Sequence, residues 1–222
     1  MTHAVAKKNP QPVVSCALGI RVHSGWGALV ALSGKRGAEQ VEDRRHIEII
    51  DPRVPGAAQP YHFAERLEIP AAEKHIAKCT AMANRLAAEG LREMSNVLRD
   101  RGCHLRGAAI LLSSARPLPD LPGILASHAM IHAAEGDFFR QVFREACRSL
   151  NIPVIGIREK ELDHRATLAF GEKVSAMRQR VSEFGRSLGP PWTTDEKTAA
   201  LAAAIVLAGP MGVFVQSPAA GT

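Results

Sequence analysis

The chain lacks any uninterrupted apolar run of the roughly 18 to 20 residues that a membrane-spanning helix needs, so no membrane partner is expected. Its opening, MTHAVAKKNPQP, lacks the apolar centre of a secretory signal. Residues 1–12 and 210–222 therefore read as flexible tails around a single domain at 13–209, and a cytoplasmic location is the expectation. Cysteine is sparse: Cys16, Cys79, Cys103 and Cys147 show no C-x-x-C spacing. That excludes a zinc ribbon or a dithiol redox motif and leaves small, reduced core thiols. Lys and Arg form no dense run, so the net charge of +6 favours an anionic partner without marking a nucleic-acid footprint. Aromatic residues are only 5% of the chain, and Trp26 and Trp192 stand alone, as packing residues do. Walker and G-x-S-x-G motifs are missing, as are internal repeats.

What is present is an alternation of short apolar runs and amphipathic stretches. VVSCALGI (13–20) and ALVAL (28–32) read as strands around a glycine turn, RVHSGWG, in which Ser24 sits. RHIEII (45–50) alternates as an edge strand. DPRVPGAAQPYHFAERLEIP has four prolines and reads as an ordered loop carrying Tyr61, His62 and Glu65. A long helix is expected over 71–99, with Gly90 weakening its middle. A buried strand follows at 107–112, then a helix from about 124 to 150, and a fifth strand, PVIGI, at 153–157. Residues 158–188 read as helical in parts. In the final helix Thr193 and Glu196 have capping-box spacing, and the alanine-rich run TAALAAAIVLA favours close packing. The order β-β-β-α-β-α-β-α predicts a three-layer α/β domain built on a mixed five-stranded sheet.

The helix at 124–150 carries the most informative pattern. At 100° per residue, one stripe holds His128, His132, Glu135, Phe139, Val142, Ala146 and Leu150. Its second half is apolar and must face the core, which turns two imidazoles and a carboxylate inward. Inward polar groups are costly without partners, so this helix start is expected to overlook a pocket. Three readings stay open for the trio: His₂Glu metal ligation, acid–base work beside an anion, and hydrogen-bonded structural histidines.

The element order resembles the ribonuclease-H-like fold, and within it the RuvC-type Holliday-junction resolvases. ALGIRVHSGWGALVAL is similar to that family's opening hairpin, LRGAAILLSS to the strand ending in its catalytic Glu, and TDEKTAALAAAIVLA to its closing helix. The resemblance implies hydrolysis by two divalent cations held by clustered carboxylates about 4 Å apart. Two of the three acid positions depart from the pattern: Arg21 stands at the first, and Ser113 or Ser114 at the second. Only Asp195, with Glu196, supplies acid at the last. A guanidinium cannot ligate a cation, so the usual two-metal mechanism is not expected.

The expectation is a rebuilt site in which Arg21 and His23 converge with His128, His132 and Glu135 at the strand ends, where α/β sheets place ligands. Ser24, Ser114, His62 and Glu65 are candidate ligand contacts. Arg21 would either clamp an anion or form a salt bridge with Glu135 or Glu65. The cofactor expected is a divalent zinc, manganese or magnesium on His128, His132 and Glu135, with Asp195 as the alternative ligand. The function expected is binding or hydrolysis of a phosphate-bearing ligand, a nucleotide or nucleic acid. The competing readings are a non-catalytic nucleic-acid-binding or scaffold protein, possible as a homodimer, and a nuclease that uses Asp195, Glu196 and Glu135.

Overall fold

The computed structural model describes residues 14–113 and 117–209; both expected tails and Ser114 lie outside them. Three antiparallel strands come first: β1 (Val14–His23), β2 (Trp26–Ser33) and β3 (Gln40–Glu48). Helices α1 (Pro60–Ala64) and α2 (Ile69–Asp100) lead to β4 (Cys103–Leu112), which lies parallel to β1. Helices α3 (Leu121–Leu125) and α4 (His128–Ser149) then cross to β5 (Val154–Arg158), parallel to β4. Helices α5 (Leu162–Phe170), α6 (Val174–Leu188) and α7 (Thr194–Ala208) complete the described chain. The sheet order is β3-β2-β1-β4-β5. This is the α/β arrangement, helices packed on a mixed five-stranded sheet, that the order of elements implied.

Alternation along β1 divides the core into two. Cys16, Leu18 and Ile20 enter the layer formed with α2 and α4. Ala17 faces the opposite layer, with buried residues of α5, α6 and α7. Arg21, two residues after Gly19, shares the α7 face and touches Thr198 of that helix. All four cysteines are free and buried.

Several expected boundaries move, each for a physical reason. β1 runs on to His23, and β3 begins at Gln40 instead of Arg45, because pairing with β2 carries polar residues into the ladder. The proline-rich loop contains α1, since Pro60 at the first turn suits a helix start. The single helix expected from 124 breaks at Ala126–Ser127, and the Asp120 side chain accepts from Gly123 N to cap the short α3. In α2 the buried residues are Ala72, Cys79, Ala83, Ala87, Leu91, Met94 and Leu98. Gly90 does not interrupt the helix; Ile47 of β3 fills the space beside it.

Strand β1 and helix α7 approach closely at Gly19. A Cβ on Gly19 would lie 1.8 Å from the Ala199 carbonyl oxygen and 2.9 Å from the Ala203 nitrogen. Ala199, Ala200, Ala202, Ala203 and Ala204 are all buried, so the alanine-rich sequence gives the close packing expected of it. The Thr193–Glu196 capping box forms as expected. Gly19→Ala is predicted to destabilise the fold by about 3 kcal/mol or more, because backbone lies on the far side of the clash and cannot yield. Urea denaturation measures this; a loss below 1 kcal/mol (roughly the cost of a mild substitution) would contradict the contact.

Candidate metal centre

Helix α4 turns Ile131, Ala134, Glu135, Phe138, Phe139, Val142, Phe143 and Ala146 inward. Glu135 is therefore buried, as the stripe predicted, but His128 and His132 are exposed at its margin. This corrects the expectation that all three face the interior. The apolar arc is centred on Ile131, Ala134 and Phe138, and the two histidines fall on its edge.

The buried carboxylate does two things. Glu135 Oε1 accepts hydrogen bonds from the backbone N–H groups of Tyr61 at 2.8 Å and His62 at 3.1 Å. These are free donors at the start of α1, whose own N-cap residue, Gln59, makes no side-chain cap. The same oxygen lies 3.2 Å from His62 Nδ1. Its companion, Oε2, is buried without a hydrogen-bond partner among the described residues. Burial raises the Glu135 pKa above the ordinary carboxylate range, and the hydrogen bonds from His62 and Tyr61 oppose part of that rise.

Anchoring His62 in this way presents its ring to α4. The ring centroid lies 4.7 Å from that of His132 and 5.4 Å from that of His128. His128 Nε2 and His132 Nε2 are 3.0 Å apart. One nitrogen from each of the three rings lies within 4.8 Å of the others. Tetrahedral zinc with bonds of 2.0–2.1 Å would hold its nitrogen ligands about 3.3 Å apart, a spacing the His128–His132 pair already approaches and to which His62 would have to close. A histidine that donates its other ring nitrogen to a carboxylate is the usual outer support of a ligating imidazole. Of the expected ligand set His128, His132 and Glu135, the two histidines lie together with His62, and Glu135 stands behind His62. Three imidazole nitrogens suit zinc and its transition-metal neighbours. They do not suit magnesium, which prefers oxygen.

The other expected members lie on the α7 side of the sheet. Arg21 Nη1 is 3.3 Å from Asp195 Oδ1, and its Nη2 is 3.6 Å from Glu159 Oε2. His23 Nε2 lies 3.1 Å from the same Asp195 oxygen, without hydrogen-bond geometry. Arg21 therefore pairs with Asp195 and Glu159, not with Glu135 or Glu65, the salt-bridge partners weighed against anion clamping. Among the described residues, no hydrogen bond, ion pair or ring contact joins Arg21 or His23 to the histidine trio. The expected convergence is absent because β1 directs Arg21 and His23 to one face of the sheet while α4 covers the other.

Ser24 is exposed in the β1–β2 turn, and Glu65 is exposed as the C-cap of α1. Ser113 is exposed at the end of β4. Trp26 is stacked between His23 and His46, each 4.2 Å away. Trp192 packs on Phe184 and donates to the Val181 carbonyl. Sequence reasoning missed Glu159 as the partner of Arg21. The available signal was an acidic residue immediately after a parallel strand.

No protein-family model matches this chain, and no curated protein matches it. Among solved structures it is similar to T. thermophilus RuvC in complex with a Holliday junction substrate, at 12% identity and a TM-score of 0.45, covering 86% of this chain and 91% of that one. A second Thermus thermophilus RuvC structure gives 12% identity and a TM-score of 0.44, covering 86% and 92%. The Aquifex aeolicus member of the Ppx/GppA family gives 14% identity and a TM-score of 0.34, covering 70% of this chain and 39% of that one.

The carboxylate also sets a pH dependence. Because its folded pKa is raised, the stability tied to its proton is complete below the unfolded value of about 4.3 and is lost as pH climbs through the folded one. Glu135→Gln is predicted to keep acceptor contacts with Tyr61 and His62 and to flatten that decline. Glu135→Ala strands both N–H groups and should cost about 1–3 kcal/mol. Urea melts at pH 4 and pH 7 on all three proteins measure both effects; a parallel pH response in wild type and Glu135→Gln would refute the assignment.

Proposed function

We propose that this chain is a metal-dependent protein of ribonuclease-H-like fold that binds and hydrolyses a phosphate-bearing ligand, a nucleotide or nucleic acid, at His62, His128 and His132. The observation that carries the reading is the meeting of three imidazoles from α1 and α4, one of them held from behind by the buried Glu135. A His₃ set leaves a tetrahedral cation one position for water or ligand, and the cation would supply Lewis-acid chemistry at a phosphoryl oxygen. The chain's own residues set the site up: Glu135 fixes the His62 tautomer, and the four-residue spacing of His128 and His132 aligns their rings. The net charge of +6 favours an anionic ligand over a neutral one.

The engagement of the strand-end acids favours the histidine set as the metal centre. Asp195 and Glu159 already flank the Arg21 guanidinium, and Glu196 is engaged with Thr193 in the capping box. That ion-paired cluster favours one second reading, a non-catalytic nucleic-acid-binding or scaffold protein. Salt-dependent nucleic-acid binding that survives loss of all three histidines would identify it.

Purified full-length protein equilibrated with Zn²⁺ is predicted to take up one ion per chain, measured by elemental analysis. His62→Ala, His128→Ala and His132→Ala should each abolish uptake at micromolar zinc, and Glu135→Ala should weaken it roughly 10–100-fold. Asp195→Asn should change nothing. Hydrolysis of bis(4-nitrophenyl) phosphate should follow zinc occupancy across the set. Uptake by His132→Ala equal to that of wild type sinks the proposal.

A further inference from the structure

We propose that Arg140 is the phosphate-binding partner of the histidine centre, holding an anionic ligand across the bare backbone of Gly136. The inference rests on the metal reading above and names the group that receives the ligand's charge. His128, His132, Gly136 and Arg140 follow one another at four-residue steps along α4, a single ridge of the helix. Each step rises about 6 Å, so Arg140 starts two turns beyond His132. Helical side chains lean toward the N-terminus, and Arg140 does so: a Cβ on Gly136 would lie 3.0 Å from its Nη1 and 3.2 Å from its Nη2. The guanidinium therefore rests over Gly136, one turn from His132, and any side chain at position 136 would push it away.

The charge there is available. Arg140 is partly buried and donates no hydrogen bond to a described residue. The Asp137 and Glu159 carboxylates act on it electrostatically, against a burial that lowers its pKa. Glu159 is shared, since it also lies 3.6 Å from Arg21. A fork of N–H donors resting in the notch that Gly136 leaves suits bidentate contact with phosphate. A phosphoryl group seated between His132 and the guanidinium that lies over Gly136 would have imidazole-held positive charge on one side and guanidinium charge on the other.

The test uses Co²⁺-loaded full-length protein titrated with inorganic phosphate and followed by visible absorption. Wild type is expected to shift its spectrum as phosphate binds. Arg140→Met should load Co²⁺ with an unchanged starting spectrum and urea midpoint, yet bind phosphate at least tenfold more weakly; Arg140→Lys should recover part of the loss. Gly136→Ala, which clashes only with the end of a flexible side chain, should fold and load normally and bind phosphate severalfold more weakly. Phosphate affinity in Arg140→Met equal to wild type, with Co²⁺ loaded, overturns the role of Arg140 and leaves the metal centre standing. A wild-type spectrum indifferent to phosphate also overturns it. Failure of wild type to load Co²⁺ removes the centre and this inference together.

Discussion

The approach of α7 to β1 is the constraint on which the rest of the arrangement depends. Only a residue without a side chain lets the Ala199 carbonyl sit where a Cβ would otherwise be, and only a helix of buried alanines can exploit that room. With the helix at that depth, its first turn arrives beside the end of β1, and Asp195 meets Arg21 and His23. The polar cluster at the strand ends is thus a product of backbone packing several residues away. Its Arg21 guanidinium is flanked by Asp195 and Glu159, an ion-paired tie between β1, α7 and the end of β5.

On the other face, the site is organised by a carboxylate and not by a strand end. Glu135 substitutes for the missing cap of α1, and that short helix is how His62 reaches α4. A desolvated carboxylate is tolerable here because two backbone amides and an imidazole share one of its oxygens. The same group that steadies the fold locally also orients a ring toward its two neighbours.

Most of the architecture was legible in the chain because hydrophobic period and turn chemistry agree along it. The Ser24–Gly25 turn, the buried run ending β4, the capping box at Thr193 and the close-packing alanines of α7 each follow from local chemistry. The five-stranded sheet follows from their order. The site was legible only in part. The inward turn of Glu135 can be read from helical period, but the stripe through it was drawn about one residue too wide, which swept in His128 and His132. The role of His62 could not be read, because it depends on a contact between residues 73 positions apart in sequence. Nor does any local rule indicate that Arg21 and His132 fall on opposite faces; β1's alternation decides one and α4's packing the other.

The link from Glu135 to α1 also couples occupancy to chain dynamics. A cation gripping His62 together with His128 and His132 would act as a removable staple between segments far apart in sequence, closing a long loop whose entropy is otherwise free. Its release would loosen the short α1 that carries His62, so protease susceptibility and amide exchange there would report whether a cation is held, without any substrate.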